Sequence, residues 1–237
     1  MGISVEMSVH FLKRFRAATY FFLLAGTLTA NARAGFINGY GWITTEALVN
    51  SVTGATAATL AAGTCHNGAG ACTLANADVL FSTNGISFNA NGATISGWLG
   101  SSGFALEGLI ASGTTLAHLM DATIWEFRGN VSVTGTVASP QAFTFANDDG
   151  LTLVVNGQTV INQPGPAGAS TTTAFYTGGV NSNAAFDLIY AECCGGPAVL
   201  QASLPGPSTA PAPEPDSVLL VGTILAGVAG MLRRKMF

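Results

Sequence analysis

Charge is scarce in this sequence, and positive charge scarcest of all. Only 8% of its 237 residues are Asp, Glu, Lys or Arg, against roughly 25% in a typical soluble domain. Between residues 35 and 212 there is a single base, Arg128. It faces nine acids: Glu46, Asp78, Glu107, Asp121, Glu126, Asp148, Asp149, Asp187 and Glu192. That imbalance excludes electrostatic binding to nucleic acid or to anionic lipid. It suits cations, neutral sugars or uncharged polymers. A catalytic set is also missing. His66 and His118 are the only histidines after residue 34, and without a nucleophile elbow no Ser–His–Asp arrangement is positioned. Cys65, His66 and Cys72 lack the ligand spacing of a zinc site. Large apolar residues are not scarce. With 49% hydrophobic residues, the chain carries a polar but uncharged surface and is not disordered by composition.

The other seven bases lie near the ends. Lys13, Arg14 and Arg16 precede the 13-residue apolar run Ala17–Thr29, and Ala30-Asn31-Ala32 and Ala32-Arg33-Ala34 follow it. A basic segment, an apolar segment too short to span a bilayer and a small-x-small site make residues 1–34 a cleavable secretory signal peptide. At the far end, residues 205–215 form a Pro-rich, extended linker. Residues 216–237 then carry the apolar run Val218–Leu232, followed by Arg233, Arg234 and Lys235. As a helix, that 15-residue run reaches about 22 Å at 1.5 Å per residue, short of a ~30 Å hydrocarbon core. Its basic end stays cytoplasmic under the positive-inside rule, leaving the body outside.

Pro213-Glu214-Pro215, an apolar helix and a terminal basic cluster, in that order, closely resemble the PEP-CTERM sorting signal of Gram-negative bacteria. The resemblance implies a chain processed by an exosortase and held only transiently in the inner membrane. It implies a final place at the cell surface or in an extracellular polysaccharide matrix.

The body, residues 35–204, has no sustained helical periodicity and is rich in Thr, Val, Phe and Gly with frequent turn signals, so it reads as all-β. Ile124, Glu126, Arg128 and residues 131–137 suggest two adjoining strands broken at Gly129-Asn130. Phe143-Thr144-Phe145 alternates apolar with polar, and Asn147-Asp148-Asp149-Gly150 turns the chain. Leu151, Leu153 and Val155 share one strand face. Asn156-Gly157 is the strongest hairpin signal, with residues 158–162 returning. Residues 185–190 and 198–204 supply later strands, giving a meander from about 122 to 204. Residues 104–120 read as a short helix or as strand plus loop.

Ile124-Trp125-Glu126-Phe127-Arg128-Gly129, Phe143-Thr144-Phe145 and the run from Asp148-Asp149-Gly150 to Asn156-Gly157 together resemble the protective-antigen-type β-sandwich domain. Phe186 to Glu192, followed by Ala198-Val199-Leu200, is similar to its closing hairpin. The likeness covers roughly 80–204 and implies an antiparallel, jelly-roll-like sandwich. In the flocculin adhesin branch, the matching Asp pair holds a calcium ion that chelates sugar hydroxyls. The resemblance thus makes Asp148 and Asp149 candidate calcium ligands, with Asn147 and Asn156 as possible further oxygens. Other branches keep the Asp-Asp-Gly turn without a known metal, and an Asx turn explains the pair equally.

Four cysteines in an exported chain favour disulfides. Cys65 and Cys72 bracket a small Gly-rich loop. Cys193 and Cys194 are adjacent, and either pair with each other or with the first two. Trp42, Trp98 and Trp125 would stack on sugar rings if exposed, although the alternating strand around Trp125 reads as core. Glu107 with Asp121, or Asp187 with Glu192, would be the carboxylate pairs of a glycosidase. The plainer reading is solvated loop acids. The sequence therefore points to a non-enzymatic, exported surface or matrix protein. Carbohydrate binding, a purely structural role and polysaccharide hydrolysis are its competing functions.

Overall fold

In the computed structural model the described residues are 36–205, except 64, 66–69, 92 and 93. They belong to one compact unit. The signal peptide, the PEP motif, the apolar tail and His66 lie outside the described residues. No helix among the described residues is long and apolar enough to cross a membrane.

Eleven strands carry the fold: β1 (Ile37–Ile43), β2 (Val79–Thr83), β3 (Ile86–Ala90), β4 (Leu106–Ala111), β5 (Thr123–Val133), β6 (Thr136–Asp148), β7 (Gly150–Val155), β8 (Gln158–Gln163), β9 (Ser170–Gly178), β10 (Asn181–Glu192) and β11 (Ala198–Ala202). They form an antiparallel sandwich of a seven-stranded sheet, ordered β4-β2-β1-β5-β10-β7-β8, and a four-stranded sheet, ordered β3-β11-β6-β9. Four short helices accompany them: α1 (Glu46–Val49), α2 (Ala57–Ala62), α3 (Ile95–Gly100) and α4 (Gly113–Ala117). The segment 104–120 is thus strand plus short helix.

The all-β sandwich expected from the sequence is present, but its connectivity is not a meander. β6 lies in the smaller sheet and β7 in the larger, so Asp148-Asp149 is a crossing between sheets and not a hairpin turn. β10 and β11 are likewise in different sheets, so the expected closing hairpin is a second crossing. Nor does a strand break fall at Gly129-Asn130. β5 runs through both, paired to Phe186 and Ala185 of β10. Gly129 is where the ring of Phe186 packs against the bare backbone. The Asn156-Gly157 hairpin stands as expected: both residues have positive φ, 48° and 80°, the requirement of a two-residue type I′ turn.

Between the sheets, alternating side chains make the main core. Trp98 of α3 plugs it, stacked on Phe88 at 4.3 Å and lying 4.6 Å from Trp125, with Tyr190 parallel at 6.0 Å. Thr94 caps α3 by accepting the Gly97 N–H. At one side of the sandwich the Gln158 amide exchanges two hydrogen bonds of 3.2 Å with Thr177, joining edge strands β8 and β9. A second cluster covers the outer face of the larger sheet. Trp42, Ile124, Ile189 and Ala191 are roofed there by Val49, Ala55, Leu60, Cys65 and Cys72 from segment 44–78. Cys65 pairs with Cys72, and Cys193 with Cys194. Trp42 Nε1 donates to the carbonyl of Thr73 at 3.1 Å, fixing the roof to β1. β5 and β10 are therefore buried on both faces, which explains their near-continuous burial.

Gly41 lies where the Trp125 indole crosses β1, and a Cβ there would collide with the ring. Gly41→Ala is expected to destabilise the protein by about 1–3 kcal/mol through overpacking. Loss of the Cys65–Cys72 loop by double Ser substitution should cost about 2–3 kcal/mol. Urea unfolding checks both; unchanged midpoints would refute the packing account.

Candidate functional site

The crossing from β6 to β7 brings the candidate ligands Asn147, Asp148 and Asp149 to one end of the sandwich. The Asp148–Asp149 peptide is cis. Asp149 is 8% exposed, and each carboxylate oxygen is used. Oδ2 accepts the Cys193 N–H at 2.9 Å and Oδ1 the Ala167 N–H at 3.2 Å. Its carbonyl accepts the Asn147 amide, Nδ2, at 2.6 Å. That fixes the amide's orientation and leaves Asn147 Oδ1 buried with no hydrogen-bond partner. Burial raises the Asp149 pKa against the two N–H donors. Burial first, and the Asp149 charge second, raise Asp148.

Beneath the pair lie Tyr190, which the sequence did not single out, and Glu192, expected from the sequence as a solvated acid or as half of a carboxylate pair with Asp187. The Tyr190 hydroxyl contacts both the Asp148 carbonyl and Glu192 Oε2. Glu192 is 1% exposed. Burial, with Asp149, Asp148 and Asp121 nearby, pushes it up to about 9 despite the Tyr190 hydrogen bond. A phenol has one proton. The consistent arrangement at neutral pH is a protonated Glu192 donating to Tyr190, and Tyr190 donating to the Asp148 carbonyl. The signal available in the sequence was Tyr190 and Glu192 at i and i+2, on the core-facing side of a strand that also buries Phe186 and Leu188.

The remaining candidates are scattered. Asn156 sits at the opposite end of β7, in the hairpin turn, and is not at the crossing. Cys193–Cys194 borders the site through the Cys193 N–H, whereas Cys65–Cys72 belongs to the outer roof. Trp42, Trp98 and Trp125 are at most 1% exposed, so none offers a ring to a sugar. His118 is half-buried, its Nδ1 2.7 Å from the Leu119 carbonyl oxygen. Glu107 lies on exposed β4. Asp187 and Glu192 point to opposite faces of β10, five residues apart, so they do not form a carboxylate pair. Glu192 is a core acid and not a solvated one. Among the described residues no three His, Cys, Asp or Glu side chains gather to hold a metal. A cation at the crossing would thus depend on amide and carbonyl oxygens besides the Asp pair.

The chain folds as an antiparallel, two-sheet all-β sandwich with a sheet-to-sheet crossing at Asp148-Asp149. The chain is similar in structure to the PA14 sugar-binding domain from an RTX adhesin, with TM-score 0.50 and 20% identity over 73% of this chain and 90% of that one. It also matches the PA14 domain of the antifreeze protein MpAFP, with TM-score 0.46 and 18% identity over 77% of this chain and 88% of that one. No family model and no curated protein matches the sequence.

The Glu192 shift has a consequence for stability. Folded Glu192 keeps its proton up to about 9, from an ordinary value of 4.5. Between those values the native state binds the extra proton, so stability is full below 4.5 and falls as pH rises toward about 9. Glu192→Gln, which mimics the neutral acid, should flatten that decline. Thermal unfolding in EGTA at pH 6, 7.5 and 9 tests it; an unchanged slope in the variant would contradict the assignment.

Proposed function

We propose that this is a non-enzymatic, exported protein of the cell surface or polysaccharide matrix that binds carbohydrate through a calcium-assisted site at the sheet crossing. The observation that carries this reading is the buried, unpartnered Asn147 Oδ1 beside two carboxylates with raised pKa values. Hard cations such as calcium take oxygen ligands of these types. Asp148, Asp149 and Asn147 Oδ1 would hold the ion, with the Cys193 and Ala167 N–H groups fixing the Asp149 carboxylate and Tyr190 holding the Asp148 carbonyl. Bound calcium would supply open coordination positions for neutral sugar hydroxyls. The acidic body adds no affinity for phosphate polymers, which fits a neutral glycan. The sugar-binding adhesin domain of like fold supports the same reading.

The terminal signals complete the proposal. The leader directs export, the PEP tail presents the chain to an exosortase, and the final location is the Gram-negative cell envelope, surface or matrix. Intact mass of protein recovered from culture should show a chain lacking both leader and tail and carrying two disulfides. A retained tail in every fraction would refute processing.

Calcium titration by calorimetry tests the site. Wild type should bind, and Asp148→Ala and Asp149→Ala should each weaken binding by more than about tenfold. Glycan-array binding should then require calcium. No calcium heat from wild type, with no chelator effect on melting, would leave a purely structural protein at this site.

A further inference from the structure

The outer face of the seven-stranded sheet carries a second polar group that the crossing site does not use. Arg128 Nη2 donates to Glu126 Oε1 at 2.6 Å and lies 3.8 Å from Asp187 Oδ2. The register explains the grouping: Arg128 faces Asp187 across the β5–β10 ladder, and Glu126 is the diagonal neighbour of Asp187. Glu126 is only 3% exposed, while the Arg128 side chain is 46% exposed. Both open into a cleft of about 220 Å³ between the sheet and the roof. Thr73, Leu60, Ala61 and Leu74 line it as well.

The lining mixes two chemistries: Glu126, Arg128 and Thr73 are polar, and Ala57, Leu60, Ala61 and Leu74 are hydrocarbon. An anion entering would meet Glu126 and Asp187, and a cation would meet Arg128. A neutral ligand with adjacent hydroxyls meets neither penalty. One hydroxyl donates to Glu126, and its neighbour accepts from the guanidinium, which has five N–H donors and commits only Nη2 among the described residues. The C–H face of the same ring packs on Leu60, Ala61 and Leu74. The volume is below the roughly 300–1,000 Å³ of pockets for drug-sized ligands, which suits one ring and not a chain. Burial, then the Asp187 charge, hold Glu126 up to about 7 against the lowering effect of Arg128. A protonated Glu126 donates to Asp187, so toward a ligand it serves as the acceptor for a hydroxyl.

We infer that the Glu126–Arg128 cleft is a second saccharide subsite, for one neutral pyranose unit, independent of calcium. It does not rest on the crossing site. The test is calorimetry of the chain in EGTA with methyl glucoside, methyl galactoside, methyl mannoside and N-acetylglucosamine, and with glucuronate and glucosamine as charged controls. At least one neutral sugar should bind, more tightly than either charged control. Arg128→Met and Ala61→Trp should each weaken that binding at least tenfold. Ala61 is exposed on α2, so the Trp variant fills the cleft without disturbing the core, and an unchanged melting temperature confirms this. Because every titration is run in EGTA, binding there is separate from the calcium site. No neutral sugar bound in EGTA, or binding that survives Ala61→Trp, overturns the inference.

Discussion

One carboxylate ties the two sheets together. Asp149 follows the last residue of β6 in the smaller sheet and precedes the first of β7 in the larger. Its oxygens take N–H groups from the exit of β10 and from the β8–β9 connection, and its own carbonyl is held by Asn147. Such charge-assisted bonds are roughly twice as strong as neutral ones. They compensate for burying a carboxylate where the chain leaves one layer for the other. Tyr190 continues the same network downward. Its hydroxyl meets the Asp148 carbonyl while its ring lies parallel to Trp98. The site at the rim and the aromatic core are thus one packed structure, and the crossing cannot shift without moving the plug.

The second constraint is a sheet buried on both faces in a chain with almost no charge. Segment 44–78, closed by Cys65–Cys72, roofs the outer side of β1, β5 and β10. Acids on those strands are then caught on either face. Glu192 falls on the core side and Glu126 on the roof side. Of these two, Glu126 has the Arg128 guanidinium beside it and Glu192 does not, and the Glu126 pKa stays lower than that of Glu192, about 7 against about 9. Burial raises both; the single guanidinium separates them.

This also explains what the sequence could and could not convey. Local rules were legible: period-two alternation in Leu151, Leu153 and Val155, positive φ at Asn156-Gly157 and the short spacing of Cys65 and Cys72. What failed was anything set by layer assignment. Asp-Asp-Gly looks like a hairpin turn whether its flanking strands pair or part. Gly129 looks like a break until the Phe186 ring is seen to need the space. Asp187 was matched with Glu192 along the chain, whereas strand pleating sends it to the other face, beside Arg128 and Glu126 on a neighbouring strand. Tyr190 reads as an ordinary strand residue and Glu192 as a solvated acid, because what joins them is a hydroxyl that also reaches a backbone carbonyl 42 residues away from Tyr190.

The near absence of positive charge, with which the sequence is most marked, limits how any polymer could be held. A body whose single arginine, Arg128, is already paired with Glu126 gains little from phosphate or lipid headgroups, and long-range attraction contributes little toward a neutral glycan. Affinity must come from short-range hydroxyl contacts, and each such contact is weak once ligand ordering is included. A rigid domain meets this difficulty by presenting more than one contact. The crossing site lies at one end of the sandwich and the Glu126–Arg128 cleft on its outer face, so they would engage separate units of one polymer. The second contact then forms at the effective concentration set by the first. Two weak neutral subsites on an acidic body would retain the protein in a polysaccharide matrix while leaving it indifferent to nucleic acid and membrane.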